Sequence, residues 1–198
     1  MILFSIFVAL LAATRAQSQT PPGFKPSTEL HLGVTFQDGV SVQAGHELLA
    51  NEAKSAPQLD LHSLLAIHHT QTPFYHSTWK FMVFMIDIDV ERNGTKYPLL
   101  HWYQPDLILS GRTGRLSIES DSNMPKAMYA GPAPPPGPAH RYVEVIFKQP
   151  ERYELPADFE KFLENTIAAR LGFDIEQFVK EAGLSEPVAG NWFLTATS

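Results

Sequence analysis

The chain contains no cysteine. Disulfides, thiolate nucleophiles and cysteine-ligated metals are therefore excluded, and stability must come from a packed core. At 198 residues the chain is long enough to build one as a single domain. It also lacks any basic run. Its 15 Lys and Arg stand against 21 Asp and Glu, for a formal charge of −6. No Lys/Arg cluster interleaves with aromatics to follow a phosphate backbone, so nucleic acid is not an expected partner. Beyond the first residues, no apolar stretch approaches the length needed to cross a bilayer. There is no Gly-x-Ser-x-Gly elbow and no internal repeat, and no cofactor is expected.

What is present begins with an apolar run from Ile2 to Ala13, followed by Thr14-Arg15-Ala16. This reads as a secretory signal peptide over residues 1–16, with cleavage after Ala16 and entry into the secretory pathway. Residues 17–27, rich in Pro and Gly, should be extended, and 28–198 should form the single domain. Asn93-Gly94-Thr95 is a glycosylation sequon in a turn-like context.

Period-two patterning predicts strands over Leu30–Phe36, Lys80–Val90, Leu99–Tyr103 and Arg141–Phe147, with a turn at Asp38-Gly39. Helical spacing of Phe159, Phe162, Leu163, Ile167 and Leu171 predicts a helix over Ala157–Leu171. A second helix should start at Asp174, with Gln177 as capping-box partner, and end at Gly183. Strands first and helices last predict a mostly β, α+β fold: two packed antiparallel sheets with helices near the C-terminus.

Two segments carry chemistry. The Gly- and Pro-dominated stretch Gly131–Ala139 cannot be helix or central strand, yet it runs straight into His140-Arg141-Tyr142 and a β-branched strand. A stiff loop of this kind holds a titratable group at a strand start with little entropic cost. The second segment is the end of the Lys80–Val90 strand. There Asp87 and Asp89 share a face with Val83 and Met85, while Ile86, Ile88 and Val90 share the other. A strict two-residue turn at Asn93-Gly94 would pair Ile86 with His101. An odd-length or bulged turn would bring Asp87 beside His101, and that arrangement is expected. His101 and His140, oriented by a carboxylate, would then line a pocket suited to phosphate, sulfate or carboxylate. His62, His68, His69 and His76 match no metal-ligand spacing, and no metal is expected.

These segments resemble the phosphatidylethanolamine-binding protein family, in particular its secreted fungal branch. Ile86-Asp-Ile-Asp-Val90 is similar to the family's Asp-Pro-Asp-x-Pro box, and Leu100-His101-Trp102 to its His-Phe strand. Gly131 to Tyr142 is similar to its Gly-x-x-Pro-Pro…His-Arg-Tyr loop, and Phe173-Asp174…Pro187-Val-Ala-Gly190 fits its tail. The resemblance implies an anion pocket of Asp87, Asp89, His101, Pro134, Pro135, His140 and Tyr142. Ile88 stands where the box has a proline, and Leu99-Leu100 precede a single imidazole, which implies a more apolar rim.

Three functions follow from the resemblance. One is passive binding of a small anion or phospholipid headgroup. Another is inhibition of a serine carboxypeptidase, as by a yeast relative. The third is a role beside other pathway enzymes in fungal secondary metabolism, where relatives occur in pathways that dimerise maleic-anhydride monomers into nonadride-type products. In that role, which is placed first, His101, His140 and Asp87 would supply acid–base chemistry and enolate stabilisation for a dimerising, C–C bond-forming enzyme acting on a carboxylate or anhydride.

Overall fold

The computed structural model describes residues 18–62, 79–120, 122–124 and 126–197. The predicted signal peptide lies outside the described residues, as do His68, His69 and His76. The described chain is mostly β. A six-stranded sheet runs in the order β2 (His46–Glu47), β8 (Ala189–Thr195), β7 (His140–Lys148), β4 (Lys80–Arg92), β5 (Thr95–Leu109), β6 (Leu116–Ile118). All neighbours in it are antiparallel except β2 and β8. A two-stranded antiparallel sheet, β1 (Gly33–Thr35) with β3 (Gln58–Asp60), completes it. Of the two expected sheets, the second is thus small. The Leu30–Phe36 segment supplies only three residues of it, with His31 bridging separately to Gly190.

β4 is central because it is apolar on both faces, which only a strand covered on both sides tolerates. Val83 and Met85 enter a core with Leu32, Val34, Leu59, Leu61, Tyr142 and Phe193 on the face toward the small sheet. Met82, Phe84 and Ile86 enter the opposite core with Val143, Val145, Phe159, Phe173 and Phe178. Phe84 anchors that second core, with ring centroids 4.9 Å from both Tyr103 and Phe178.

The β4–β5 turn is a strict two-residue one. Arg92 pairs with Thr95, and Asn93 and Gly94 both have positive φ (52° and 76°), the conformation this dipeptide favours. The expected odd-length turn is therefore corrected: the irregularity lies inside the strands. β5 also outruns its predicted end at Tyr103. Pro105 reads as a breaker, but an irregularity opposite Phe81–Val83 absorbs it. Asp106 (φ 56°) is held there by Gln149 and Ser122.

The predicted Ala157–Leu171 α-helix is corrected as well. It is two 3₁₀ segments, Ala157–Leu163 and Ile167–Arg170. Phe159 and Phe162, three residues apart, eclipse on one side of a 3₁₀ turn and both bury there. The second helix, α1 (Ile175–Glu181), forms as expected, with the Asp174 carboxylate accepting the Gln177 N–H at 3.0 Å. Gln177's own side chain turns forward to Glu181, so only half of the capping box is made.

Candidate functional site

Two β-bulges shape the end of the sheet. On β4, Ile88 and Asp89 together oppose one residue of β5, between the pairs Val90↔Tyr97 and Asp87↔Leu99. On β5, His101 is the extra residue between Ile86↔Leu100 and Met85↔Trp102. A bulge points two successive side chains to one side. Trp102 enters the core that holds Met85 and Tyr142, and His101 stands edge-on to Tyr142 at 5.1 Å. His101 thus shares the Asp87 face although Asp87 pairs with Leu99.

Asp87 is 2% exposed, and both its oxygens are engaged. Oδ1 accepts the Asp89 N–H at 2.9 Å, and Oδ2 accepts from His140 Nδ1 at 2.8 Å. The imidazole bonded to Asp87 is therefore His140, not His101. A carboxylate accepts only, so His140 carries its proton on Nδ1 and its Nε2 edge faces away from Asp87.

His101 is fixed differently. Its Nδ1–H donates to the Ala130 carbonyl at 2.7 Å, which leaves Nε2 as a lone pair. That atom is buried and has no hydrogen-bond partner. Burial depresses the ring's basicity, and the nearby Arg170 and His140 add to this against the Asp87 carboxylate and the Ala130 bond. His101 is a neutral imidazole in a low-dielectric setting.

Asp89 plays another part. Arg141 forms a bidentate pair with it (2.7 Å to each oxygen), the Arg141 N–H adds a bond at 3.0 Å, and Lys96 a fourth at 2.6 Å. Burial pushes this carboxyl up, but the bonds from Arg141 and Lys96 outweigh it and hold the group well below the usual carboxylate range. Its lone pairs are taken, so Asp89 clamps the start of β7 rather than facing a ligand.

Tyr142 pairs with Asp87 across β4 and β7 and stacks on Phe193 at 5.4 Å. Burial and the Asp87 carboxylate push its phenol further up, so it remains a hydrogen-bond donor. Of the loop prolines, Pro134 is buried and its carbonyl accepts from Thr197 Oγ1 at 2.6 Å, whereas Pro135 is exposed. Gly131 lets the loop press against the chain at 53–54: a Cβ there would lie 3.0 Å from the Ala53 carbonyl. The geometry thus gathers Asp87, His101, His140 and Tyr142, and sets Asp89 and Pro135 apart; Pro134 is buried against Thr197. His62 is an exposed residue paired with Asp60. No group of three or more His, Asp or Glu among the described residues is arranged to hold a metal.

The sequence matches the phosphatidylethanolamine-binding protein family over residues 24–193. The chain belongs to this family. A curated relative in it is 42% identical over 165 residues, covering 83% of this chain and 69% of the relative: "Phomoidride biosynthesis cluster protein N" of Fungal sp. (strain ATCC 74256). Among solved structures, carboxypeptidase Y inhibitor in complex with its proteinase superposes with a TM-score of 0.60 at 22% identity, covering 87% of this chain and 85% of that one. The phosphatidylethanolamine-binding protein of Plasmodium vivax gives 0.59 at 17%, covering 89% and 92%. These structural likenesses are of fold.

Around this site, three contributors escape sequence reasoning. Ala130 acts through its carbonyl, which no sequence pattern reveals. Arg170 is buried, and its Nη1 donates to the Met128 carbonyl (2.6 Å) and the His101 carbonyl (3.4 Å). It was hidden inside a predicted amphipathic helix. Glu144 did leave a signal, an acid in the middle of the Val143–Phe147 strand.

Proposed function

We propose that this protein acts in fungal secondary metabolism on a small carboxylated or anhydride substrate, assisting dimerisation of maleic-anhydride monomers. The observation that carries this reading is the pairing of two differently prepared imidazoles. His101 offers an unpartnered, buried Nε2 lone pair, and His140 is backed by the Asp87 carboxylate. A neutral imidazole in a dry site is suited to take a proton from the alkyl carbon attached to the monomer's C=C, whose negative charge then spreads through that double bond onto an anhydride carbonyl. The resulting dienolate oxygen would be met by the Nε2 edge of His140, whose ring the Asp87 carboxylate orients through Nδ1. The carbanion then adds to the C=C bond of a second monomer, and the proton returns from His101 to the adduct, so no oxidant is needed. The phomoidride-cluster relative supports the pathway class. Secretory entry through residues 1–16, and glycosylation at Asn93 on the exposed hairpin tip, belong to the same proposal.

Incubating the purified protein with anhydride monomers, alongside His101→Ala and His140→Ala, tests it. Monomer consumption should fall by about 100-fold or more in His101→Ala, the range set by loss of a general base. Consumption unchanged in both variants would reduce the site to passive anion binding.

A further inference from the structure

Glu144 is 0% exposed, and neither carboxyl oxygen has a hydrogen-bond partner. Every other buried carboxylate among the described residues is bonded: Asp87 to His140, Asp89 to Arg141 and Lys96, Asp106 to Gln149 and Ser122. Polar neighbours exist but are committed elsewhere. Asn191, paired with Glu144 on β8, spends its amide on the carbonyls of Leu32 and Val42 and on the Trp192 N–H. Tyr129, whose phenol feels the Glu144 charge, donates to the Ala53 carbonyl at 2.6 Å.

The placement of the unsatisfied groups is informative. Among the described residues, the buried side-chain atoms without a partner are His101 Nε2, both oxygens of Glu144 and Thr195 Oγ1. Packing accidents would fall on either face of the sheet. These all fall on the Tyr142 face. His101 stands edge-on to Tyr142, and Glu144 follows Tyr142 by one period-two step along β7. Thr195 pairs with His140 on β8. Polar groups left bare in a well-packed protein mark either strain or a partner still to arrive.

We propose that Glu144 is the inner contact of this site, its carboxyl group hydrogen-bonding the far oxygen of a two-ended ligand whose near end lies against His101 and His140. The proposal rests on the anion-site reading above. Along β7 Glu144 stands one period-two step, about 6.8 Å, beyond Tyr142, against whose ring His101 packs, and two such steps beyond His140. Reaching Glu144 from the His101 edge takes a two-ended acid, such as an unsaturated dicarboxylic acid or its anhydride, and exceeds the reach of a single phosphate. Glu144 is then a specificity-determining residue that distinguishes two-ended from one-ended anions, and Thr195 supplies a hydroxyl beside His140.

The test compares 2,3-dimethylmaleate with inorganic phosphate by calorimetric titration of wild type, Glu144→Leu, Glu144→Gln and Thr195→Val. Glu144→Leu should weaken dimethylmaleate at least tenfold, leave phosphate within about twofold and raise Tm, because an unpartnered carboxyl gives way to a hydrocarbon. Glu144→Gln, which keeps a donor and the volume, should stay within about threefold for both. Thr195→Val should weaken both probes modestly. A Glu144→Leu protein that binds dimethylmaleate like wild type overturns the assignment while leaving the anion site standing. So does one that loses both probes and melts lower, which marks Glu144 as structural. Wild type that binds neither probe overturns the anion site itself, and this inference with it.

Discussion

Glu144→Gln should stabilise the protein by an amount that grows with pH. Burial pushes the Glu144 carboxyl up to about 8, from an ordinary value near 4.5. The folded state therefore keeps a proton that the unfolded chain releases above about 4.5, and folding becomes less favourable as pH rises from there to about 8. Below that window both states are protonated and the penalty vanishes. Above it both are ionised and the penalty is constant. At 1.36 kcal/mol per unit, the full penalty is roughly 3–5 kcal/mol. Glutamine does not titrate, so the variant should gain on wild type across the window. Urea unfolding near pH 5, 7 and 8.5 measures this. A stability difference that stays flat with pH would show that Glu144 is not the buried acid described here.

Asp87→Ala should lower stability by about 3 kcal/mol, because it strands two buried donors at once, the Asp89 N–H and His140 Nδ1–H. Asp87→Asn separates structure from function. The asparagine oxygen can serve one of the two donors, and its NH₂ then confronts the other. Keeping the Asp89 bond places that NH₂ against His140 Nδ1, confining the ring to the tautomer with its proton on Nε2. The carboxylate that holds the ring and would balance any charge it takes up on binding an anion is thereby lost, which should cost about tenfold in anion affinity at a stability loss nearer 1 kcal/mol. Denaturation and calorimetric titration read the two effects separately. Asp87→Asn with wild-type anion affinity would remove Asp87 from the site's chemistry.

Much of this was legible in the sequence, for physical reasons. The Asp87 face followed from alternation along β4, which holds as far as Asp87; the bulge at Ile88 and Asp89 then breaks it, so Asp89 does not take its expected place on that face. The Pro-rich run into His140-Arg141-Tyr142 could only be a loop entering a strand. What period-two reasoning cannot deliver is a bulge. Each inserted residue flips the faces beyond it, so His101 could be put on the Asp87 face only by assigning the irregularity to the turn. The structure instead places it at His101 itself. The choice of imidazole for Asp87 depended on pairing between β4 and β7, whose contact lies more than fifty residues apart in sequence. The Ala157–Leu171 segment misled because Phe spacing of three suits a 3₁₀ turn as well as an α-helix. The import of Glu144 rested on its neighbours being committed elsewhere, which only the folded chain discloses.

Under the proposed function, His101 and His140 converge on one small anion. Long-range ¹H–¹⁵N spectra of histidine-labelled protein, recorded while 2,3-dimethylmaleate is added, test it most directly. Nε2 of His101 should start in the unprotonated range and move toward the protonated one as a ligand proton reaches it. His140 Nε2 should shift along the same saturation curve while the His62 signals stay fixed. Nε2 signals of His101 and His140 that remain unmoved at millimolar ligand, or that saturate independently of each other, would contradict it.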